Sequence, residues 1–418
     1  QLDSGTNDLT KSIELRRDVL RTVIETLDVL EEDLLALITA EVGKTPSEAQ
    51  AELPYASSFA KVALELLDSY QFESEVKGHF ISEVPRGTGL LIAPYNDPVA
   101  GLIRKIAPCI AAGSAALVKP SELGIQCALR LDKGFVNAGI QKYVRILPIA
   151  QHEITTSLIK SKEIGTVSFT GSTAVGLQLA SIAGLSGKPF VGELGGTNPF
   201  VLMEDANLNL AIPDLVRRKV KAAGQACSAP NIVFAAKRIL EEVETRLISE
   251  LKEVTYGPAS DLVDMGPLRT AEAITKLEKI EIELRKEGEI CIFSSKEKNH
   301  DGFVYSPKLY RISHSDIFEM HEVFAPLMAV CAFDEITELR KRLKINRQPL
   351  VLYVYGKNKK LIKKLISSLK YGSVGINTTA IQGPDIPTGG FDLAGVGREG
   401  GFWGMSQFLT TINRKGDN

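Results

Sequence analysis

Short β-rich segments that end in glycine or proline alternate with helix-like stretches, and this alternation restricts the fold more than any other feature of the chain. In the first half the segments are AALVKP, VRILPI, TVSFTG and KPFVGELGG, at positions 115–120, 144–149, 166–171 and 188–196. Strands that alternate with helices predict a mostly parallel, doubly wound sheet. A second cycle of strand candidates follows Cys227, with helices predicted at 241–254 and 271–286, so we expect a second α/β domain.

Helical periodicity marks the beginning of the chain. Apolar residues recur at spacings of three and four from Ile13 to about Glu52, and the pattern is broken between Gly43 and Pro46. A second helical stretch ends near Tyr70, and the segment FISEVPRGTGLLIAP then predicts strands. We therefore expect a helical entry ahead of the first strand.

Length and charge exclude several classes of protein. With 418 residues the chain is too long for one simple core, which favours two large domains. The 49 basic and 51 acidic side chains give a net charge of −2, so the sequence offers no broad basic field for nucleic acid. No apolar run approaches the ~18 residues of a membrane span, and no signal pattern opens the sequence. We expect neither a nucleic-acid partner nor a membrane partner.

The five cysteines are odd in number and scattered, without the spacing of metal ligands. This pattern predicts neither a disulfide framework nor a metal site, and it fits a reducing compartment, so we expect a cytoplasmic protein. Cys227 differs from the others in its setting, KAAGQACSAP, where small neighbours leave room for a carbonyl carbon to reach a thiolate. A buried thiol is the more common role of a free cysteine, and both interpretations stay open from this stretch alone.

Six short motifs surround the GQAC segment that contains Cys227. Four lie upstream of it, in the order APYNDP, KPSE, FTGSTAVG and GELGG, and two lie downstream, HEVFAP at 321–326 and GGFDLAGVGREGG at 389–401. Together they resemble the aldehyde dehydrogenase superfamily over nearly the whole chain. The resemblance implies an α/β fold with a Rossmann-type cofactor domain (1–66 and 86–194), a second α/β catalytic domain (195–403) and a small β oligomerisation hairpin (67–85 and 404–418). It also implies a homodimer or homotetramer. Most members of the family have a further segment before the first helix, so we expect such a segment to be missing from this chain.

The resemblance assigns the catalytic residues. Cys227 matches the nucleophile, and Asn96 matches the side chain that donates to the oxyanion. Glu193, 34 positions before Cys227, matches the base that activates water. Lys105 and Glu399 match a pair linked to proton relay, although a surface lysine and a carboxylate at a helix start are equally good interpretations.

The resemblance also assigns a nicotinamide cofactor. Gly171 and Ser172, between a strand and a helix start, match residues that bind its phosphates, and Val175 belongs to the same predicted site. Glu322 and Phe324 match residues that hold the nicotinamide ribose and ring.

Lys119, Ser121 and Glu122 of the KPSE motif match residues at the adenosine ribose. The Glu122 carboxylate would repel a 2′-phosphate, whereas Lys119 would tolerate one. The cofactor is therefore predicted to be NAD or NADP, with NAD favoured.

Departures from the family pattern point to the substrate. Asp97 stands where relatives have an aromatic residue, and Asp392 stands where a lysine is frequent, so an aromatic substrate tunnel is not expected. Arg104 and Lys221 occupy the positions at which succinate-semialdehyde dehydrogenases carry cations that bind a carboxylate. The alternative is that both are solvated charges on a helix face.

These assignments predict NAD(P)-dependent oxidation of a small polar or anionic aldehyde, a semialdehyde or hydroxyaldehyde, to its carboxylate through a thioester on Cys227. Two alternatives remain at this point. One is a semialdehyde dehydrogenase that transfers the acyl group to coenzyme A, against which Glu193 argues because such enzymes generally lack this glutamate. The other is a family member that has lost catalysis and serves as a structural protein.

Overall fold

The computed structural model describes residues 2–295, 302–313 and 316–416. Positions 1, 296–301, 314–315 and 417–418, which the predicted domain ranges include, lie outside the described residues. The strands are β1 (Glu73–Val76), β2 (His79–Pro85), β3 (Thr88–Ile92), β4 (Ala116–Lys119), β5 (Val144–Ile146), β6 (Ile164–Thr170), β7 (Phe190–Glu193), β8 (Asn198–Leu202), β9 (Pro230–Ala236), β10 (Ile290–Ser294), β11 (Lys308–Arg311), β12 (Leu327–Phe333), β13 (Val351–Tyr355), β14 (Ser373–Ile376), β15 (Gly395–Val396) and β16 (Leu409–Arg414).

The helices are α1 (Leu2–Lys11), α2 (Ile13–Val29), α3 (Glu31–Val42), α4 (Pro46–Ser69), α5 (Ala100–Ala111), α6 (Ile125–Asn137), α7 (His152–Lys160), α8 (Thr173–Leu185), α9 (Leu208–Val220), α10 (Leu240–Glu253), α11 (Ala271–Lys286), α12 (Asp316–Met320), α13 (Ile336–Ile345), α14 (Lys359–Ile366) and α15 (Gly401–Ser406).

The predicted break in the helical entry separates α3 from α4. Gly43 ends α3 with a left-handed φ of 77°, a backbone conformation that glycine adopts at little cost. Thr45 then caps α4, where its side chain accepts from the Glu48 N–H and the Glu48 side chain accepts from the Thr45 N–H. The turn between the two helices contains Lys44, whose side chain reaches the candidate site described below.

The first sheet has the order β15-β7-β6-β3-β4-β5. Its strands are parallel except for β15, which pairs antiparallel with β7. One apolar cluster joins one face of the sheet to α2, α4, α5 and α6, and a second joins the other face to α7 and α8. Because the strands are parallel, the carboxyl ends of β7, β6, β3 and β4 lie at one edge, where ligands of doubly wound sheets bind.

The second sheet has the order β10-β11-β12-β9-β8-β13-β14 and is parallel except for β10. Its central strands are buried along their whole length, and α9, α10 and α13 pack against them in a single apolar cluster. Buried parallel strands of this kind form the near-continuous apolar segments seen in the sequence.

A third sheet is small and antiparallel, with the order β1-β2-β16. The hairpin of β1 and β2 therefore receives a third strand from the carboxyl-terminal part of the chain. The predicted α/β fold, with a Rossmann-type sheet, a second α/β sheet and a small β element, is confirmed. Within the described residues, none of the helices combines the length and the apolar composition that a membrane span requires.

Candidate active site

Cys227 lies in the turn that joins α9 to β9, and its backbone is held firmly. Ala222, Ala223 and Gly224 adopt left-handed backbone angles, with φ of 50°, 53° and 73°. Two alanines in this conformation are strained, which is a feature that clusters at functional sites. The side chain of Asn198, at the start of β8, donates to the carbonyl oxygen of Cys227 at 2.7 Å. The thiol itself is half-buried.

The loop after β3 contacts this turn through Asn96. The side-chain nitrogen of Asn96 donates to the carbonyl oxygen of Gln225 at 2.9 Å. Two further donors fix Gln225, because its side-chain oxygen accepts from the Tyr95 hydroxyl at 3.1 Å and from the backbone N–H of Arg269 at 3.0 Å. The predicted oxyanion donor is therefore held two residues from Cys227.

One cavity of about 200 Å³ brings several predicted residues together. Cys227 and Asn96 line it, and so do Arg104 of α5 and Lys221, which directly follows α9. Arg218, on the last turn of α9, also lines the cavity and was not predicted as a site residue. The predicted nucleophile, the predicted oxyanion donor and these three cations thus line the same space, and Lys44 lines it as well.

Arg104 is buttressed by aromatic rings. Its guanidinium lies 5.7 Å from the ring centroid of Tyr55 and 5.1 Å from that of Phe59, and it donates to the Tyr55 hydroxyl at 3.0 Å. Lys221 is exposed. Arg104 and Lys221 both line the cavity. The exposure of Lys221 also agrees with its interpretation as a solvated charge.

An ion cluster beside Asn96 was not predicted. Lys44 donates to Asp97 at 2.6 Å and to Glu52 at 2.7 Å, and Glu52 also accepts from the backbone N–H groups of Val99 and Ala100 at the start of α5. Burial opposes ionisation of Asp97, but the charges of Lys44, Arg104 and Lys221 and the hydrogen bond from Lys44 together outweigh it and hold the pKa of this carboxyl well below its usual range. Because Lys44 and Asp97 are 53 positions apart, no local pattern indicated the contact.

Glu193 lies at the end of β7, next to the predicted relay pair. The Lys105 amine lies 2.5 Å from the Glu399 carboxylate and 2.8 Å from the Ser168 hydroxyl, and both charged side chains are buried. The interpretation of Lys105 as a surface lysine is therefore wrong, whereas Glu399 does lie two residues before the start of α15. Burial and the nearby Glu399 raise the pKa of Glu193 to about 8. Its Oε1 rests against Gly389, where an added Cβ would lie 2.6 Å away.

The surroundings of the Cys227 thiol favour its protonated form. Burial raises its pKa to about 12; the charge of Arg104 opposes this shift, Glu193 and Glu322 add to it, and Arg218 opposes it. The cations around the cavity are thus the groups that favour the reactive thiolate.

The KPSE motif follows β4 and makes its own ion pair. Lys119 is buried and donates to Glu122 at 2.6 Å. Partial burial opposes ionisation of Glu122, but the hydrogen bond from Lys119, a backbone hydrogen bond and nearby positive charge together outweigh it and lower the pKa of the carboxyl. Ser121 accepts from the backbone N–H of Leu123 at 3.2 Å, which caps a short 3₁₀ turn.

The turn between β6 and α8 contains Gly171 and Ser172. An added Cβ at Gly171 would lie 2.6 Å from the Phe169 ring, so the close approach requires glycine. Ser172 precedes α8 without a side-chain hydrogen bond to the helix, and Val175 is exposed on the first turn. The start of α8 can therefore offer backbone N–H groups and a positive dipole end to a phosphate.

Glu322 and Phe324 precede β12 and lie across from this turn. The Glu322 carboxylate packs against the Gly195 backbone, where an added Cβ would lie 2.6 Å away, and burial raises its pKa to about 7. The Phe324 ring meets the Tyr95 ring edge-on at 6.3 Å, which connects this segment to the loop of Asn96.

The predicted cofactor residues therefore line one edge of the first sheet, after β4 and β6, and the facing segment before β12. The chemistry of the set fits a dinucleotide: a helix start for phosphates, an ionised carboxylate for a ribose, and a second carboxylate beside an aromatic ring. Asp392 does not line the cavity; it is exposed, with a φ of 49°. Among the described residues no group of three or more His, Cys, Asp or Glu side chains is arranged to hold a metal ion.

A family model described as the aldehyde dehydrogenase family matches residues 9–413. The chain belongs to the aldehyde dehydrogenase family. It is 27% identical over 403 residues to the NADP⁺-dependent succinate-semialdehyde dehydrogenase of Escherichia coli K12, with 94% of this chain and 83% of the relative covered. It is 29% identical over 393 residues to the 3-sulfolactaldehyde dehydrogenase of Pseudomonas putida, with 91% and 80% covered.

A solved aldehyde dehydrogenase has the same fold. The structure of aldehyde dehydrogenase C of Pseudomonas syringae with NAD⁺ and octanal superposes with a TM-score of 0.93 at 26% identity, covering 99% of this chain and 87% of that one. The predictions of an NAD(P)-dependent aldehyde dehydrogenase and of NAD or NADP as cofactor are confirmed. The cysteine thioester mechanism is general for this family.

Proposed function

We propose that this aldehyde dehydrogenase oxidises a small polar or anionic aldehyde, with Cys227 as the nucleophile and two cations as the binding site for the distal anion. The observation that carries this proposal is the cavity beside Cys227. Its lining contains four cations, Lys44, Arg104, Arg218 and Lys221, against three carboxylates, so a formal positive charge remains. An anionic tail would balance that charge.

Each step of the reaction has a candidate residue. The Cys227 thiolate attacks the carbonyl carbon, and the Asn96 amide and the Cys227 backbone N–H donate to the oxygen that becomes negative. The chemistry that NAD or NADP would supply when bound is the acceptance of the hydride. Glu193 then takes a proton from the water that opens the Cys227 thioester, and the carboxylate product leaves. Lys105 and Glu399 form a buried pair through which that proton can move away.

The cofactor would be held by residues at the strand ends. Gly171, Ser172 and Val175 are assigned to the pyrophosphate because they form the start of α8. Lys119, Ser121 and Glu122 are assigned to the adenosine ribose.

Glu322 and Phe324 are assigned to the nicotinamide half of the cofactor. The ionised Glu122 supports NAD over NADP, because its charge opposes a 2′-phosphate.

Arg104 and Lys221 are proposed to grip the distal anion. Neither forms an ion pair with a carboxylate among the described residues, whereas Lys44 has two such partners. The names of two relatives support this proposal, since succinate semialdehyde and 3-sulfolactaldehyde both carry an anionic group. The name of the structural relative with octanal shows that the fold itself does not select this class.

The three predicted domains are proposed to follow the three sheets. The cofactor-binding domain comprises 1–66 and 86–194, the catalytic domain comprises 195–403, and the oligomerisation strands comprise 67–85 and 404–418. The small sheet is proposed to join subunits in a homodimer or homotetramer, because Ile412 on its outer strand and the neighbouring Phe402 and Trp403 are exposed. Light scattering on the purified protein would measure the mass directly. Unpaired cysteines support a reducing, cytoplasmic location.

The substrate proposal is tested by comparing succinate semialdehyde with butanal, an uncharged aldehyde of equal length. Each charge-assisted contact contributes ~1.5–3 kcal/mol, so Arg104→Ala should lower kcat/KM for succinate semialdehyde by about ten- to a hundredfold and leave butanal nearly unchanged. Lys221→Ala is the second variant. An equal loss on both substrates would mean that Arg104 supports the fold or Lys105, and the anionic class would be abandoned.

The same assay tests the reaction type. Aldehyde and NAD or NADP are supplied without coenzyme A, and the product is identified as the free acid. A strict requirement for coenzyme A would contradict the proposed hydrolysis by Glu193.

A further inference from the structure

We propose that Arg218 is a positioning residue for Cys227, whose unpaired positive charge favours the thiolate and whose hydrogen bonds hold the turn that carries it. This inference rests on the proposed role of Cys227 as the nucleophile. It concerns a residue that neither the motifs nor the resemblance singled out.

The contacts of Arg218 lead directly to the nucleophile. Its guanidinium donates to the hydroxyl of Ser228, the residue after Cys227, and to the side-chain oxygen of Gln382 at 2.9 Å. Ser228 is fixed further by Tyr353 of β13, whose hydroxyl donates to the Ser228 carbonyl oxygen at 2.9 Å. Arg218 therefore ties the Cys227 turn to the loop that contains Gln382, which also lines the cavity.

The acceptors of Arg218 are neutral, which leaves its charge uncompensated. Within the described ranges Arg218 forms no ion pair with a carboxylate. Its neighbour Arg217 is largely exposed and pairs with Asp214, and Lys44, which also lines the cavity, is paired twice. An arginine stays charged at all working pH values, so this charge acts on the thiol throughout the reaction.

Charged and titratable groups of several packed elements act on the Cys227 thiol, and Lys44, Lys221, Asp97, Glu48 and Glu52 line the same cavity. Arg104 of α5 and Arg218 of α9 favour the thiolate; Glu193 of β7 and Glu322 before β12 oppose it. Tyr353 of β13 faces the same thiol.

Arg104 is itself close to the ionised Asp97, and that carboxylate offsets part of its charge. Arg218 has no such neighbour among its hydrogen-bond partners. Removing the Arg218 charge should therefore make the thiolate harder to form.

The test measures the alkylation rate of Cys227 by iodoacetamide between pH 6.5 and 9.5, without aldehyde or cofactor. Iodoacetamide is neutral, so the cavity charge does not attract it. Cys291 is exposed, and the measurements therefore use the full chain with Cys291→Ser; Cys109, Cys127 and Cys331 are buried. The same background with Cys227→Ser shows how much label belongs to other positions.

Four variants separate charge from structure. Arg218→Gln keeps an amide donor but removes the charge, Arg218→Met removes both, and Arg218→Lys keeps the charge. Arg217→Met is the matched control on the same helix turn. Removing a nearby charge shifts a thiol by about one pKa unit, so Arg218→Gln and Arg218→Met should be alkylated about tenfold more slowly at each pH. The alkylation rate of Arg218→Lys should stay within about threefold of the rate of the Cys291→Ser protein, and the rate of Arg217→Met should equal it.

Two results would overturn the inference. In one, Arg218→Gln is alkylated as fast as Arg217→Met. In the other, Arg218→Lys is as slow as Arg218→Met, so that charge is not the cause. If alkylation is unchanged and Arg218→Gln loses activity on succinate semialdehyde only, Arg218 binds the substrate instead and the inference also fails.

Aldehyde oxidation by the Cys291→Ser protein is measured separately. Normal oxidation together with unchanged alkylation in Arg218→Gln would leave the proposed function in place while removing the inference. Absence of aldehyde oxidation in the background protein would remove the proposed function itself.

Discussion

The side-chain amide of Asn96 donates to the carbonyl oxygen of Gln225 at 2.9 Å, two residues before Cys227. One N–H of the amide is used in this bond, and the second N–H is left to donate elsewhere. Because Gln225 is itself held by Tyr95 and by the backbone of Arg269, the orientation of the amide is set before any substrate arrives. A donor fixed in this way loses little free energy to reorganisation when negative charge develops on an oxygen beside Cys227.

Asn96→Ala should therefore lower kcat by about 10²- to 10³-fold, the usual loss when one oxyanion donor is removed. The affinity for NAD, measured by fluorescence titration, should change little, because Asn96 is assigned to the substrate oxygen. A kcat within about threefold of the parent enzyme would show that the amide serves only to hold the Cys227 turn.

Cys227→Ala should abolish aldehyde oxidation while leaving cofactor binding nearly intact. The thiol is the group that bonds to the carbonyl carbon, and none of the residues assigned to the cofactor touches it through a hydrogen bond in the described part of the chain. The measurement is steady-state reduction of NAD together with a cofactor titration of the same preparation. Turnover above the uncatalysed rate in this variant would contradict the mechanism.

Glu193→Gln should separate acylation from hydrolysis. The first turnover needs Cys227 and the cofactor, so a rapid burst of NADH should survive, while the steady-state rate should fall because no carboxylate activates water. Equal losses in the burst and in the steady state would place Glu193 in an earlier step.

The pH dependence of hydrolysis provides an independent check on Glu193. Burial and the neighbouring Glu399 raise its pKa to about 8, so its base form increases as pH rises through that value. The steady-state rate of an enzyme limited by hydrolysis should rise from pH 7 to 9, and Glu193→Gln should lose this rise. A flat profile in the parent enzyme under hydrolysis-limited conditions would contradict the assignment.

The sheets could be predicted from the sequence because buried parallel strands are apolar on both faces, which makes each one visible as a short apolar run. The break between α3 and α4 was also visible, since Gly43 and the Thr45–Glu48 capping box are local signals. The contact between Asn96 and the Cys227 turn joins positions 129 apart, and only the family resemblance placed these residues in one site.

The roles of charged residues were the hardest to predict. In RRK at 217–219 three adjacent basic residues point in different directions, because successive side chains on a helix are about 100° apart. Arg217 pairs with Asp214 at the surface, Arg218 lines the cavity, and Lys219 is buried. The Lys44–Asp97 pair could not be predicted from the sequence for a different reason. It depends on how α4 packs beside the loop after β3.

Lys219→Met should stabilise the protein, and the gain should depend on pH. Lys219 is 1% exposed, and its amine has no hydrogen-bond partner among the described residues; burial lowers its pKa from 10.5 to about 7. Below pH 7 the folded state buries a charged amine, and the free energy of unfolding is reduced by the full penalty of burying that charge. Between pH 7 and 10.5 the amine of the folded state is increasingly neutral, so this penalty becomes smaller. Replacement by the similarly sized methionine should raise the free energy of unfolding by ~2–4 kcal/mol near pH 7 and by less than about 1 kcal/mol near pH 10.

Guanidinium unfolding at both pH values measures this difference. The control is Lys221→Met, at an exposed lysine two residues away, which should change the free energy of unfolding by less than about 0.5 kcal/mol. A Lys219→Met protein that is no more stable at pH 7, or whose gain is the same at pH 10, would show that the amine has a compensating partner in the folded state.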